Sequence, residues 1–234
     1  MNQEQQGQVL QDLLHLQTPA IGLAFLPEPP AGISRVDRPA AAGCSYWKRA
    51  AAGEVFYTLA SDHYGCTVGS HTHGIELPPE KAQEFSEVAG VMVQLDYIRA
   101  EELPGIPQRK ESFGVAVYGP LQKLPHAPEV VLVRGNARQL MLLAEAAQAA
   151  GVAHDGEVMG RPACAMVPQT LQSGRGNLSL GCIGNRVYTG LADDEFYYSL
   201  PGDKVEVVIN RLATILHANS ELQKFHEERR AAAV

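Results

Sequence analysis

The chain lacks any Cys-x-x-Cys pair, any surplus of basic residues and any apolar run long enough to span a membrane. Each absence removes a class of function. With 19 Lys and Arg against 26 Asp and Glu, and a net charge of −7, no broad positive surface is available for phosphate backbones, so nucleic acid is not an expected partner. The opening stretch, Met1 to Gln11, is polar and amide-rich where a secretory leader would be cationic and then apolar. With no spanning run either, a membrane is not expected and a cytoplasmic location is. The missing Cys-x-x-Cys also removes the compact spacing of ferredoxins. The glycine-rich strings from Gln172 to Asn177 and from Leu180 to Arg186 match neither the P-loop nor the dinucleotide-binding pattern, so no nucleotide site is indicated by motif.

What is present is a chain of 234 residues, 45% apolar, which can bury a core without disulfides or metals to hold it. It contains four cysteines, and three of them directly follow a glycine: Cys44, Cys66 and Cys182, with Cys164 as the fourth. Glycine lets backbone crowd close to a bound group. In a reducing cytoplasm, thiols or metal ligands are expected before disulfides.

Helical spacing over residues 4–16 predicts an opening amphipathic helix, and the apolar run 20–26 a buried strand stopped by Pro27, Pro29 and Pro30. A short helix over 45–52, a strand over 55–60, a polar loop over 62–74 and a helix over 78–94 follow. The second part gives strands at 113–118 and 130–133, expected to be adjacent. Helices follow over 136–149, 163–172 and 203–218, with a short strand at 178–180 and a glycine-rich loop over 181–190.

Each part thus runs cysteine, short helix, strand, Gly-Cys loop, proline, long helix. The spacing is similar, 22 residues from Cys44 to Cys66 and 18 from Cys164 to Cys182. Leu77-Pro78 answers Leu200-Pro201. This grammar predicts an α+β protein of two pseudo-repeated α/β halves packed into a single globular body. The halves are 1–111, carrying the Cys44 and Cys66 loops, and 112–234, carrying the Cys164 and Cys182 loops. The cysteine loops would meet at a shared cleft, and the helix-rich flanks make a homo-oligomer plausible.

Four motifs taken together carry a resemblance. They are Cys44-Ser45-Tyr46-Trp47-Lys48-Arg49-Ala50, Asp62-His63-Tyr64-Gly65-Cys66 with Val68-Gly69, Gly160-Arg161-Pro162-Ala163-Cys164, and Ser179-Leu180-Gly181-Cys182 with Arg186. The chain resembles the ArCR family, also called domain of unknown function 169, over nearly its whole length. That resemblance implies uncharacterised proteins of archaea and bacteria and carries no reaction with it.

The leading expectation is a redox-linked iron–sulfur protein with a redox partner. A 4Fe-4S cluster needs four thiolates around one small volume, and Cys44, Cys66, Cys164 and Cys182 would supply them. Zinc is the alternative metal, held by Cys66 with the loop imidazoles His63, His71 and His73. Cys66 or Cys182 could instead act as a nucleophile, although no placed base or oxyanion site accompanies either. Arg161 and Arg186 adjoin cysteine loops, where they would either hold a small anion or brace the loops by salt bridge. The reading from another class is a non-redox protein in which the same cleft holds a small molecule or anion and the thiols merely pack. The aromatics near the cysteines, Tyr46, Trp47, Phe56, Tyr188 and Tyr197 among them, would either line such a pocket or fill the core.

Overall fold

A computed structural model describes residues 1–158 and 160–232. The chain is a mixed α/β protein built on one seven-stranded sheet. The helices are α1 (Gln3–Leu14), α2 (Cys44–Ala51), α3 (Thr67–Thr72), α4 (Pro79–Gln94), α5 (Ala137–Ala149), α6 (Met166–Ser173), α7 (Ile183–Thr189) and α8 (Val205–Ala232). The strands are β1 (Ile21–Leu26), β2 (Phe56–Leu59), β3 (Val115–Pro120), β4 (Val130–Asn136), β5 (His154–Val158), β6 (Gly176–Ser179) and β7 (Glu195–Pro201), in the sheet order β2-β3-β1-β4-β7-β6-β5.

All neighbouring strands are antiparallel except β5 and β6. The two strands expected to be neighbours, β3 and β4, are therefore separated by β1. Their shared apolar character reflects burial on both sheet faces, which does not specify a partner. At the centre, Ile21 lies opposite Leu132, Gly22 opposite Val131 and Leu23 opposite Val130. On either side, Pro120 faces Ile21 and Pro201 faces Val130.

Alternation along the strands divides the core between the two faces of the sheet. Val131 and Val133 of β4 and Leu200 of β7 face one way, against Leu10 and Leu14 of α1, Leu143 of α5 and Val208 and Leu212 of α8. Val130 and Leu132 face the other way with Ile21, Leu23, Tyr118 and Tyr197, and meet Tyr46 and Trp47 of α2 and Met166 and Val167 of α6. Tyr46, Trp47, Tyr118 and Tyr197 are among the largest fully buried side chains. Most aromatics flagged near the cysteines therefore fill the core, as tilted and edge-on pairs such as Trp47 on Tyr197 at 5.3 Å.

Helix ends follow local chemistry. Asn2 and Asn136 cap α1 and α5, each accepting from the backbone N–H three residues on. Gly174 and Gly190 close α6 and α7 in the left-handed conformation. Among the described residues, no helix is long and apolar enough to cross a membrane.

Candidate functional site

On the α2/α6 side of the sheet, the N-terminal ends of α2, α3 and α7 and the turn before α6 converge beneath α4. Each brings a cysteine: Cys44 opens α2, Cys66 precedes α3, Cys164 lies in the 3-10 turn before α6, and Cys182 caps α7. All four line one cavity of about 350 Å³. Glycines allow the close approach: a Cβ on Gly69 would sit 2.9 Å from Cys66 Sγ, and one on Gly65 would sit 2.7 Å from the Ala40 carbonyl oxygen.

The roof comes from α4 and the segment after it. Phe85, Val88, Ala89 and Met92 of α4 face the cavity, with Tyr97, Ile98, Leu103 and Ile106 beside them. Sequence reading passed over these residues. The available signal was the helical spacing of apolar side chains in a glutamate-bearing helix, which marks an apolar face without revealing that it covers a hollow.

Burial pushes the Cys44 thiol up to about 12, with Cys66 and Cys182 adding to the rise and the Asn185 amide opposing it. Burial pushes Cys164 up as well, assisted by Cys66 and opposed by Thr72. Both are neutral thiols near pH 7. None of the four cysteines is in a disulfide.

The expectation of an iron–sulfur-binding, redox-linked protein is overturned here. Among the described residues, no group of three or more His, Cys, Asp or Glu is placed to hold a metal ion. The physical reason is that the thiols come from four separate elements and line the wall of an apolar hollow, where desolvation disfavours the thiolate a metal requires.

The histidines of the first cysteine loop have other partners. His63 is fully buried, its Nε2 2.8 Å from Thr58 Oγ1. The His71 ring stacks on Phe85 at 4.9 Å. His73 is buried with its Nδ1 2.9 Å from the Gly69 carbonyl oxygen, and burial lowers it to about 4. That carbonyl can only accept, so Nδ1 carries the proton and Nε2 is a bare acceptor. His73 lines the cavity, and its Nε2 has no partner.

The two arginines part company. Arg161 lies at the cavity, donating to the Tyr97 carbonyl at 2.6 Å, with Glu102 3.7 Å away. Arg186 braces the α7 loop from outside, donating to the carbonyls of Ala192 at 2.8 Å and Leu180 at 2.7 Å. Its neighbour Asn185, singled out only as part of a glycine-rich string, does line the cavity.

Comparison with curated proteins and with solved structures returned no match. The model of one family, described as uncharacterised ArCR (domain of unknown function 169), matches residues 9–211, which takes in all seven strands and all four cysteine loops. The chain belongs to that ArCR family.

Proposed function

We propose that the protein is a non-redox small-molecule-binding protein whose ligand occupies the cavity under α4, with the four cysteines as wall residues. The observation that carries this reading is the cavity itself: about 350 Å³, walled mainly by apolar side chains and loop backbone, with few polar groups directed at it. That is the composition of a site for a compact organic molecule. An anion is disfavoured, because the one arginine on the wall is already engaged by Tyr97 and Glu102 and the other charged wall residue is Glu84.

We further propose a pseudo-twofold relation between the halves, which strand order and register support and which would put the site at their junction. Ile21 and Val130 are counterparts through their prolines, so a dyad through Gly22 and Val131 would exchange the Ile21–Leu132 pair with the Leu23–Val130 pair. The same operation would carry β2 onto β6 from the strand order, and so would pair Cys44 with Cys164 and Cys66 with Cys182. Under it, β3 belongs with the first half, and the counterpart of Leu200-Pro201 is Gly119-Pro120 in place of Leu77-Pro78.

The test uses N-phenyl-1-naphthylamine, a neutral dye that fluoresces when transferred to an apolar site. It is expected to bind the wild-type chain saturably and to lose binding in Ala89→Trp, which fills the hollow from α4. Val88→Trp, at a half-exposed position on the same wall, provides a second occluding variant if the first folds poorly. Equal binding by wild type and both variants would place the dye elsewhere, for instance in the groove beside α5 lined by Met141, Leu178 and Phe196, and would contradict the proposal.

A further inference from the structure

Asn185 is 2% exposed and lines the cavity, yet neither its side-chain nitrogen nor its oxygen has a hydrogen-bond partner. Its backbone is fully employed: the N–H lies 3.4 Å from Cys182 Sγ, and the carbonyl accepts from Thr189 Oγ1 at 2.7 Å. The fold thus uses Asn185 to build α7 and leaves its amide over. The amide oxygen lies beside Gly181, whose left-handed backbone (φ +76°) leaves room for it: a Cβ there would stand 3.0 Å from Asn185 Oδ1. The amide's contact with the Cys44 thiol lowers that group's titration but falls outside hydrogen-bond geometry.

An unpaired buried amide carries a desolvation cost that a structural role does not explain. A hydrophobic side chain of similar size would fill the space without that cost. What an amide offers instead is a donor and an acceptor side by side in one plane. The group that satisfies both at once is a second amide of cis geometry, whose N–H meets the Asn185 oxygen while its carbonyl meets the Asn185 nitrogen. His73 provides a second orphan on the same wall, the bare acceptor Nε2, held in that tautomer by the Gly69 carbonyl.

Resting on the small-molecule reading above, we infer that the ligand is an uncharged, mostly apolar molecule that carries a lactam-type amide edge, read by Asn185, and a further N–H or O–H donor, read by His73. The apolar body packs beneath Phe85, Val88 and Met92 of α4. A site whose buried polar groups need partners discriminates strongly against an analogue that lacks one of them.

The test is displacement of bound N-phenyl-1-naphthylamine from the full chain by isoquinolin-1(2H)-one and by its N-methyl derivative, which keeps the carbonyl and the rings but has no N–H. The lactam is expected to displace the dye at a concentration at least about tenfold lower than the N-methyl compound. In Asn185→Leu, checked for folding by circular dichroism, the two are expected to be equivalent. The wild-type comparison stands without the variant. Equal displacement by the two compounds, or dye binding with displacement by neither, would overturn the ligand class and leave the cavity reading intact. Failure of the dye to bind wild type would overturn both.

Discussion

Cys44 and Cys164 are held as neutral thiols by burial, which sets them apart from reactive cysteines, where neighbouring positive charge or helix ends stabilise the thiolate. At pH 8 the thiolate fraction of Cys44 should be about a thousandfold below that of an exposed cysteine, since its titration is moved from 9.0 to about 12. Iodoacetamide labelling followed by mass spectrometry is expected to modify Cys44 and Cys164 far more slowly than a cysteine in unfolded protein, and to catch up only after urea is added. The imidazoles carry the complementary prediction. His73 is depressed from 6.5 to about 4, so the folded state binds fewer protons than the unfolded state between those values. Its contribution to stability is complete above pH 6.5 and is lost as pH falls toward 4, about 3 kcal/mol in all. His63, depressed in the same direction by burial, adds to the loss. Urea melts between pH 4 and 7 are expected to show this decline, and a shallower one in His73→Gln.

At the scale of elements, the long amphipathic helices and apolar strands were legible because their periodicity is set by burial on one face. The openings of α1, α4 and α5 and the run of β1 follow from side-chain spacing and caps alone. The short helices α3 and α7 were not: Thr67–Thr72 and Ile183–Thr189 are polar and glycine-bearing, and they form because tertiary packing holds their cysteine-led first turns. β7 escaped notice as well: its Phe196-Tyr197-Tyr198 run read only as aromatics that line a pocket or fill the core, and it is a strand between β4 and β6.

The roof helix α4 buries only Ala89, whereas α5 buries Leu140, Leu142, Leu143, Ala146 and Ala147. Amide hydrogen exchange should therefore be about ten- to a hundredfold faster in α4 than in α5, and should slow in α4 when N-phenyl-1-naphthylamine is bound. The connection into that roof is constrained at Gly74. It has φ +71°, and a side chain there would run into the Arg109 carbonyl oxygen, so Gly74→Ala should cost about 2–4 kcal/mol. Gly32, with φ +78° and open space around it, should cost only about 1 kcal/mol when changed to Ala. Thermal melts of the two variants separate steric conflict from backbone preference.

For the whole molecule, the similar cysteine spacing pointed to one shared neighbourhood, and all four thiols do line one cavity. What spacing could not convey is the character of that neighbourhood. Whether four sulfurs surround an ion or an apolar hollow depends on α4 and on Tyr97 to Ile106, segments without a cysteine whose apolar side chains wall the space between. Asn185 illustrates the same limit: within its glycine-rich string it reads as loop chemistry, and only the assembled wall shows its amide without a partner.

Methyl NMR on the intact chain tests the central claim most directly. With methyl labels on methionine and isoleucine, titration with N-phenyl-1-naphthylamine is predicted to shift Met92, Ile98, Ile106 and Ile183, which line the cavity. Met141, beside the groove at α5, and Ile209, in the core at α8, should stay unmoved. Shifts at Met141 with none at Met92 and Ile98, or no shifts anywhere, would contradict a ligand site beneath α4.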